Sequence, residues 1–326
     1  MSFHGTILSL YLGRACNNRC VFCVVDGRKD KSLATETVLQ KLEEAKLLGM
    51  QDVVFSGGDC TVRKDIIDII KVAKDKGFIS VQIQTNGRRL ADTSFLKELI
   101  ESGVTEFSIS LHGSTPEIHD SLTGVKGSFR QTTQGIQNIH QLLGDQAIVI
   151  TNTVITRSNL TDLANIAYLL SSLQVSAYQF AYIHAQGRAE SVFEDITPYK
   201  SEAKPYIIDA LNRSIENGYG VGRVMVEGYP YCFLRGYECF YSDLYIPHSY
   251  TRNKGDETID PFPIREARLK GECCNICTFT ALCYGPWREY PQRRGWNEFI
   301  PIVDVLPSQV IPPEFLENFT INGKLP

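Results

Sequence analysis

Three cysteines fall within one short stretch near the N-terminus, Cys16-Asn-Asn-Arg-Cys20-Val-Phe-Cys23. The spacing C-x3-C-x2-C gathers three thiolates on a single tight loop. Such a triplet can ligate three irons of a [4Fe–4S] cube and leave the fourth iron open to chelate a small ligand. Structural zinc takes four ligands, usually in paired C-x2-C or C…H spacing, and fits the triplet poorly. Arg14, Arg19, Arg28 and Lys29 flank the cysteines. Their charges favour thiolate over thiol and offset the charge of a ligated cluster.

Cys60 stands alone in an early loop, and Cys232, Cys239, Cys273, Cys274, Cys277 and Cys283 lie toward the C-terminus. In a reducing compartment so many cysteines call for metal or redox chemistry rather than disulfides. That compartment is expected, because Met1-Ser-Phe-His-Gly-Thr6 has neither the basic region nor the apolar run of a secretory signal. No stretch is apolar for long enough to span a bilayer, so a cytoplasmic protein is predicted. The sequons at Asn159 and Asn318 carry no meaning without secretion. With 33 basic against 37 acidic side chains, a net charge of −4 and no charge run, neither nucleic acid nor an anionic membrane is an expected partner.

The elements that must position the first triplet are legible as alternating patterns. Strand-type runs cover Thr6–Leu12, Asp52–Phe55, Ser80–Gln84, Glu106–Leu111, Ala147–Ile155 and Ser176–Ile183. Amphipathic helical stretches separate them: Thr37–Leu48, Lys64–Lys76, Ser94–Glu101, Phe129–Leu143 and Leu160–Leu173. Gly49, Gly77 and Gly103 stand just past three helix ends, where a left-handed cap is expected. The alternation predicts a parallel α/β sheet, either a partial (β/α)6 barrel or a doubly wound sheet, with chemistry at the C-terminal ends of the strands. A helix near Ser201–Asn217 leads into an aromatic, cysteine-rich region with a candidate strand pair at Val221–Glu227 and Glu238–Ile246. We therefore divide the chain into residues 1–200 and a C-terminal α+β extension, 201–326.

The triplet, with Phe22 before its last cysteine, resembles the radical S-adenosylmethionine (SAM) superfamily signature. The likeness covers roughly residues 6–190 and implies a partial, TIM-like (β/α)6 barrel. After the second strand, Phe55-Ser56-Gly57-Gly58-Asp59 is similar to the family's GGE motif, which receives the amino group of SAM. Aspartate replaces glutamate and Cys60 replaces the usual proline. Gln84-Thr85-Asn86-Gly87 is a common strand-to-turn ending in the family. By resemblance Ser108 and Ser110 on strand four contact the SAM ribose or carboxylate, and Asn152 and Arg157 bind its carboxylate and ribose. Gly187-Arg188-Ala189 is similar to the adenine-contacting end of strand six. His112 either faces substrate or is a satisfied structural histidine.

The run Cys274-x2-Cys277-x5-Cys283 resembles the core of the twitch and SPASM extensions, which hold auxiliary [4Fe–4S] clusters. Trp287 stands where a full SPASM core has another cysteine, which favours a single auxiliary cluster. Cys232, in a Pro-x-Cys turn, is the expected fourth ligand, with Cys239 its rival and Cys273 able to replace Cys274. The alternative for this region is a structural zinc knot. The resemblance implies reductive cleavage of SAM to a 5′-deoxyadenosyl radical, which takes hydrogen from a substrate C–H bond, with electrons from a flavodoxin- or ferredoxin-type reductant. Expected substrates are peptides or natural products undergoing epimerisation, dehydrogenation or cross-linking. A carbohydrate or aminocyclitol epimerase or dehydrogenase is the alternative enzyme. An iron–sulfur electron-transfer or zinc-binding module is the non-enzyme alternative. No leader-peptide-binding domain is visible. A spare thiol, Cys239 or Cys273, is a candidate hydrogen donor for epimerisation, or else a small buried hydrophobe.

Overall fold

In the computed structural model, residues 7–25, 32–245, 250–252, 260–261 and 267–316 are described. Arg28, Lys29, Ile246 and the Asn318 sequon lie outside the described residues. The six strands read between residues 6 and 183 all form: β1 Ile7–Tyr11, β2 Asp52–Ser56, β3 Ser80–Thr85, β4 Glu106–Ser110, β5 Val149–Ile155 and β6 Ala177–Tyr182. The intervening helices are α1 Thr35–Leu47, α2 Ile66–Asp75, α3 Thr93–Ser102, α4 Pro116–Thr123, α5 Ser128–Leu143 and α6 Leu163–Ser172. Gly49, Gly77 and Gly103 all adopt positive φ at 79°, 80° and 115°, closing α1, α2 and α3.

The helix α4 has no counterpart among the sequence-derived segments. Pro116 opens it at a position where the missing N–H costs nothing. Its Asp120 carboxylate accepts from the backbone of Gly127 (2.6 Å) and Phe129 (2.8 Å), fixing the turn into α5.

A seventh strand, β7 Val224–Glu227, pairs in parallel with β6. The expected strand pair with Glu238–Ile246 does not form. Residues Glu238–Phe240 and Ser242–Leu244 are instead short 3-10 turns, touching β7 through the single bridge Val226–Tyr241. Ser242 and Asp243 favour local turns, while Val224 and Val226, both fully buried, complete the sheet edge. The barrel sheet thus continues past residue 200.

The seven strands follow one another in sequence order, all parallel. Right-handed crossovers between strands in this order carry every helix to the same face. A doubly wound sheet needs a reversal of order, and there is none, so the sheet curls into an open half-barrel. On β4 the alternation is plain. Phe107 and Ile109 are fully buried, whereas Ser108 and Ser110 on the opposite face are half-buried. At the free edge, β8 Tyr250–Arg252 runs parallel to β1, and β9 Asp260–Pro261 antiparallel to β8.

Beyond β6 come α7 Arg188–Ser191, α8 Phe193–Ile196 and α9 Lys200–Glu216. Lys200 opens α9 completely buried. Its ammonium stands 3.3 Å from the Tyr182 ring centroid, 4.7 Å from that of Tyr290 and 5.1 Å from that of Tyr229, and donates to Gly228 O at 2.8 Å. This cage of ring faces stitches β6, α9 and the C-terminal region together.

Candidate active site

The loop leaving β1 carries the three cysteines, and glycines from three other segments close on its backbone. A Cβ on Gly58 would lie 2.3 Å from Ala15 O and 2.5 Å from Arg14 O, and one on Gly57 would lie 2.4 Å from Gly13 O. On Gly124 it would meet Arg19 O at 2.8 Å, and on Gly187 it would meet Val24 O at 2.6 Å. Only glycine permits these approaches. Hydrogen bonds run through the same contacts: Gly58 N to Gly13 O and Asp59 N to Ala15 O, both 2.8 Å, and Arg188 N to Cys23 O at 2.9 Å. The Arg188 guanidinium donates to Arg19 O (2.8 Å) and Cys20 O (3.0 Å). Gly57, Gly58 and Gly187, expected as cofactor contacts, lie directly against the backbone of the cysteine loop.

Cys16 is exposed, and Cys20 and Cys23 are half-buried. The three thiols are near enough to act on one another's protonation. Burial pushes Cys20 up to about 12, helped by Cys23 and Cys16, and burial likewise raises Cys16, with Asp59 and Cys23 adding to it. Asn86 reaches in from the end of β3, its amide nitrogen 3.6 Å from Cys16 Sγ and 2.6 Å from Asn17 Oδ1. Arg88 donates to Asn17 O and, at 3.1 Å, to Asn18 Oδ1. Neither Asn86 nor Arg88 was marked as a site residue by the sequence, although the Thr85-Asn86-Gly87 turn pointed to the place.

Asp59 sits on the buried side of this loop, only 3% exposed. Its carboxylate accepts from Thr61 N (2.9 Å), Thr85 Oγ1 (2.9 Å) and Asn86 N (2.9 Å). It therefore caps the turn Cys60–Val62 and ties the end of β2 to the end of β3. Few lone pairs remain for a ligand's ammonium group. Ser56 donates to Leu10 O at 3.3 Å on the same edge. Phe22 turns its ring into the core, edge-on to His112 at 4.6 Å. His112 is 2% exposed; its ring Nδ1 accepts from Val154 N at 3.2 Å, while its backbone N–H donates to His119 Nδ1 at 3.1 Å. The ring is thus buried and tied to β5.

Along the uncovered face of the sheet runs a polar row. Gln84 pairs in register with Ser108, Ser110 with Asn152, and Asn152 with Gln179. Gln179 Nε2 donates to Asn152 Oδ1 (3.1 Å) and to Glu227 Oε2 (3.2 Å). Burial pushes the Glu227 carboxyl above the usual range, although Arg268 opposes this. Glu227 and Gln179 were not read from the sequence, because β7 was not assigned to the barrel. Arg157 lies away from this row in its contacts, forked onto Glu202 by two 3.0 Å bonds at the surface.

In the C-terminal region one pocket is lined by Cys232, Cys273, Cys274, Cys277 and Cys283, with Tyr231, Phe279 and Phe299 among its walls. Burial raises the Cys232 thiol, and Cys283, Cys277 and Cys274 raise it further while Lys200 eases it down. Cys274 is pushed up to about 11 by burial, and Cys273 beside it adds to the shift. Cys239 is not in this pocket, and its thiol donates to Val310 O at 3.6 Å. Of the two rivals for fourth ligand, the structure brings Cys232 to the other three.

Among the described residues no three His, Cys, Asp or Glu side chains converge on the position of one ion. A four-iron cube takes each thiolate on a different iron and needs no such convergence. Both cysteine sets fit a cube in donor chemistry. The first set offers three thiols on a closely seated loop, the second five around one pocket.

The polypeptide from 10 to 170 matches the family model described as Radical SAM superfamily. The chain is 28% identical to the Fe-coproporphyrin III synthase of Methanosarcina barkeri, over 68% of this chain and 56% of that one. It is 27% identical to a probable GTP 3′,8-cyclase of Saccharolobus islandicus, over 58% of this chain and 60% of that one. The matched region thus spans little more than half the length of these curated relatives. Among solved structures, Streptococcus suis SuiB bound to S-adenosylmethionine superposes with a TM-score of 0.61 at 18% identity, covering 91% of this chain and 76% of that one. The structure of anSMEcpe with bound AdoMet and the Kp18Cys peptide gives 0.54 at 17% identity, over 68% of this chain and 63% of that one. At such identities the superpositions speak for the half-barrel alone. The matched family model, together with the cysteine loop, places residues 10–170 of this chain in the radical SAM superfamily of enzymes.

Proposed function

We propose that Cys16, Cys20 and Cys23 hold a [4Fe–4S] cluster whose open iron binds SAM, and that the enzyme modifies a peptide or a polar natural product. When bound and reduced, cluster and SAM together supply a carbon radical strong enough to take hydrogen from an unactivated C–H bond. The residues of this chain do the rest. The glycine-seated loop fixes the cluster, and Arg188 and Arg88 hold that loop through its carbonyls. The inner face, with Ser108, Ser110, Asn152, Gln179 and Glu227, offers hydrogen bonds to SAM and to substrate and excludes bulk water. The observation that carries the reading is the seating of the three cysteines at the C-terminal ends of β1 to β3, where an α/β barrel performs its chemistry.

The pocket of C-terminal cysteines supports a second, auxiliary cluster on Cys232, Cys274, Cys277 and Cys283, closed by four thiolates and suited to electron relay. A flavodoxin- or ferredoxin-type protein is the fitting reductant, and a cytoplasmic setting keeps the thiols reduced. The peptide version draws on SuiB, which was solved bound to precursor peptide SuiA. Anaerobic reconstitution with iron and sulfide, followed by SAM and dithionite, tests the core of the reading. Formation of 5′-deoxyadenosine is expected. A colourless protein that leaves SAM intact would refute it.

A further inference from the structure

At the C-terminal ends of β6 and β7 the polar row continues into a group that the chemistry above does not use. His184 follows β6, and its Nε2 lies 3.3 Å from Glu289 Oε1. Gln186 Nε2 donates to the same oxygen at 3.2 Å. Glu289 Oε2 is buried with no hydrogen-bond partner among the described residues. The Trp287 indole lies flat on the imidazole, 4.2 Å away and tilted by 12°. That indole is itself pinned. Its N–H donates to Tyr182 O at 3.1 Å, the Arg268 guanidinium covers its other face at 3.6 Å, and a Cβ on Gly228 would stand 2.4 Å from its nitrogen. The imidazole is thus held in plane by a stack and faces a carboxylate at ion-pair distance without hydrogen-bond geometry, while its side chain keeps 21% exposure. Three residues further on, Gly187 packs against the backbone of Cys23 and Val24.

The charges around the ring are unequal. Glu289 faces it from the helix Glu289–Arg294, and Glu227 from β7. Arg268 lies behind Trp287 and is paired with Asp243 at 3.6 Å. With Arg268 paired to Asp243, the carboxyl groups of Glu289 and Glu227 are left to face the ring. We propose that His184, positioned by Glu289, accepts a proton from a polar substrate carrying an O–H or N–H group at or beside the carbon that loses hydrogen. The proton leaves that group, its bonding pair stays on the oxygen or nitrogen, and the resulting imidazolium is balanced by Glu289. Histidine suits the step because it takes up and returns a proton near neutral pH. The assignment rests on the radical SAM reading of the barrel and deepens it.

Two measurements test it. The first is proton NMR of the histidine ring hydrogens in the full chain before iron is added. The resonances missing from His184→Gln identify its ring, and their shifts should move in Glu289→Gln, where the carboxylate beside the ring is lost. Ring shifts indifferent to Glu289→Gln would overturn the assignment. The second is the iron content of the reconstituted protein. His184→Gln should hold as much iron as the wild type. A loss there would make His184 a support of the cysteine loop and overturn its role as proton acceptor. A protein whose His184 ring responds to Glu289→Gln yet leaves SAM intact would instead refute the reading of the barrel on which the assignment rests.

Discussion

Gly58→Ala is the sharpest perturbation of the cysteine loop. Gly58 is not in the left-handed region, so its backbone conformation is open to any residue and the whole penalty is steric. The new methyl would lie 2.3 Å from Ala15 O, 2.5 Å from Arg14 O and 2.7 Å from Arg14 C, all main-chain atoms that cannot swing aside as a side chain can. Relief requires the loop to move by several tenths of an ångström to an ångström. That movement stretches the bonds from Gly58 N to Gly13 O and from Asp59 N to Ala15 O. Two such bonds are worth about 0.5–1.5 kcal/mol each, and forced overpacking costs about 1–3 kcal/mol, so a loss of about 2–6 kcal/mol is expected. The control is Gly220→Ala, where a Cβ meets nothing within 4 Å. Urea unfolding of both variants gives the stability, and iron content after reconstitution reports the loop. Gly58→Ala should unfold at clearly lower urea and lose iron from the first site. If it matched Gly220→Ala in both measurements, the argument that glycines seat the cysteine loop would be wrong.

Other outcomes follow from the same structure. In a Cys16/Cys20/Cys23→Ala background about four irons per chain should remain in the C-terminal pocket; adding Cys232→Ser should remove them and adding Cys239→Ser should not, while zinc in their place would make the region a structural knot. Asp65 takes a forked pair of bonds from Arg63 at 2.6 and 2.9 Å, which hold its carboxyl below the usual range despite some burial. Its contribution, about 1 kcal/mol, is therefore full at neutral pH and fades as acid protonates the folded carboxylate, so the difference between wild type and Asp65→Asn in urea unfolding should shrink as pH falls below about 4. Burial pushes the Lys200 ammonium far below its ordinary range, with Arg268 adding to the effect. A depressed cation favours folding more as pH rises, so wild type should gain on Lys200→Met between neutral pH and about pH 9.5; a difference that stays flat or shrinks would refute it.

The parts legible in the sequence were those written in local pattern. Six strands and their helices were marked by apolar runs and glycine stops, because β-branched runs such as Asp52–Phe55 and caps such as Gly103 act within a few residues. The first triplet was legible because three ligands on one loop need no tertiary information. What escaped notice depends on distant packing. β7 could not be placed because its partner is β6, and only the register Gln179–Met225 brings Glu227 beside Gln179. Spacing alone left Cys232 and Cys239 equal, and the folded chain separates them by turning Cys239 toward Val310. The motif points to Asp59, but its hydrogen bonds from Thr61, Thr85 and Asn86 come from the packing of β2 against β3 and could not be read from it. His184 and Glu289 are over a hundred residues apart in sequence and meet only because Trp287 is stacked between Arg268 and the end of β6.

The central claim is that Cys16, Cys20 and Cys23 together carry the cluster that cleaves SAM. Cys20→Ala, reconstituted anaerobically beside the wild type and supplied with SAM and dithionite, measures it directly. The wild type should form 5′-deoxyadenosine, and the variant should form none while keeping the iron of its C-terminal pocket. A Cys20→Ala protein that made 5′-deoxyadenosine at the wild-type rate would contradict the account.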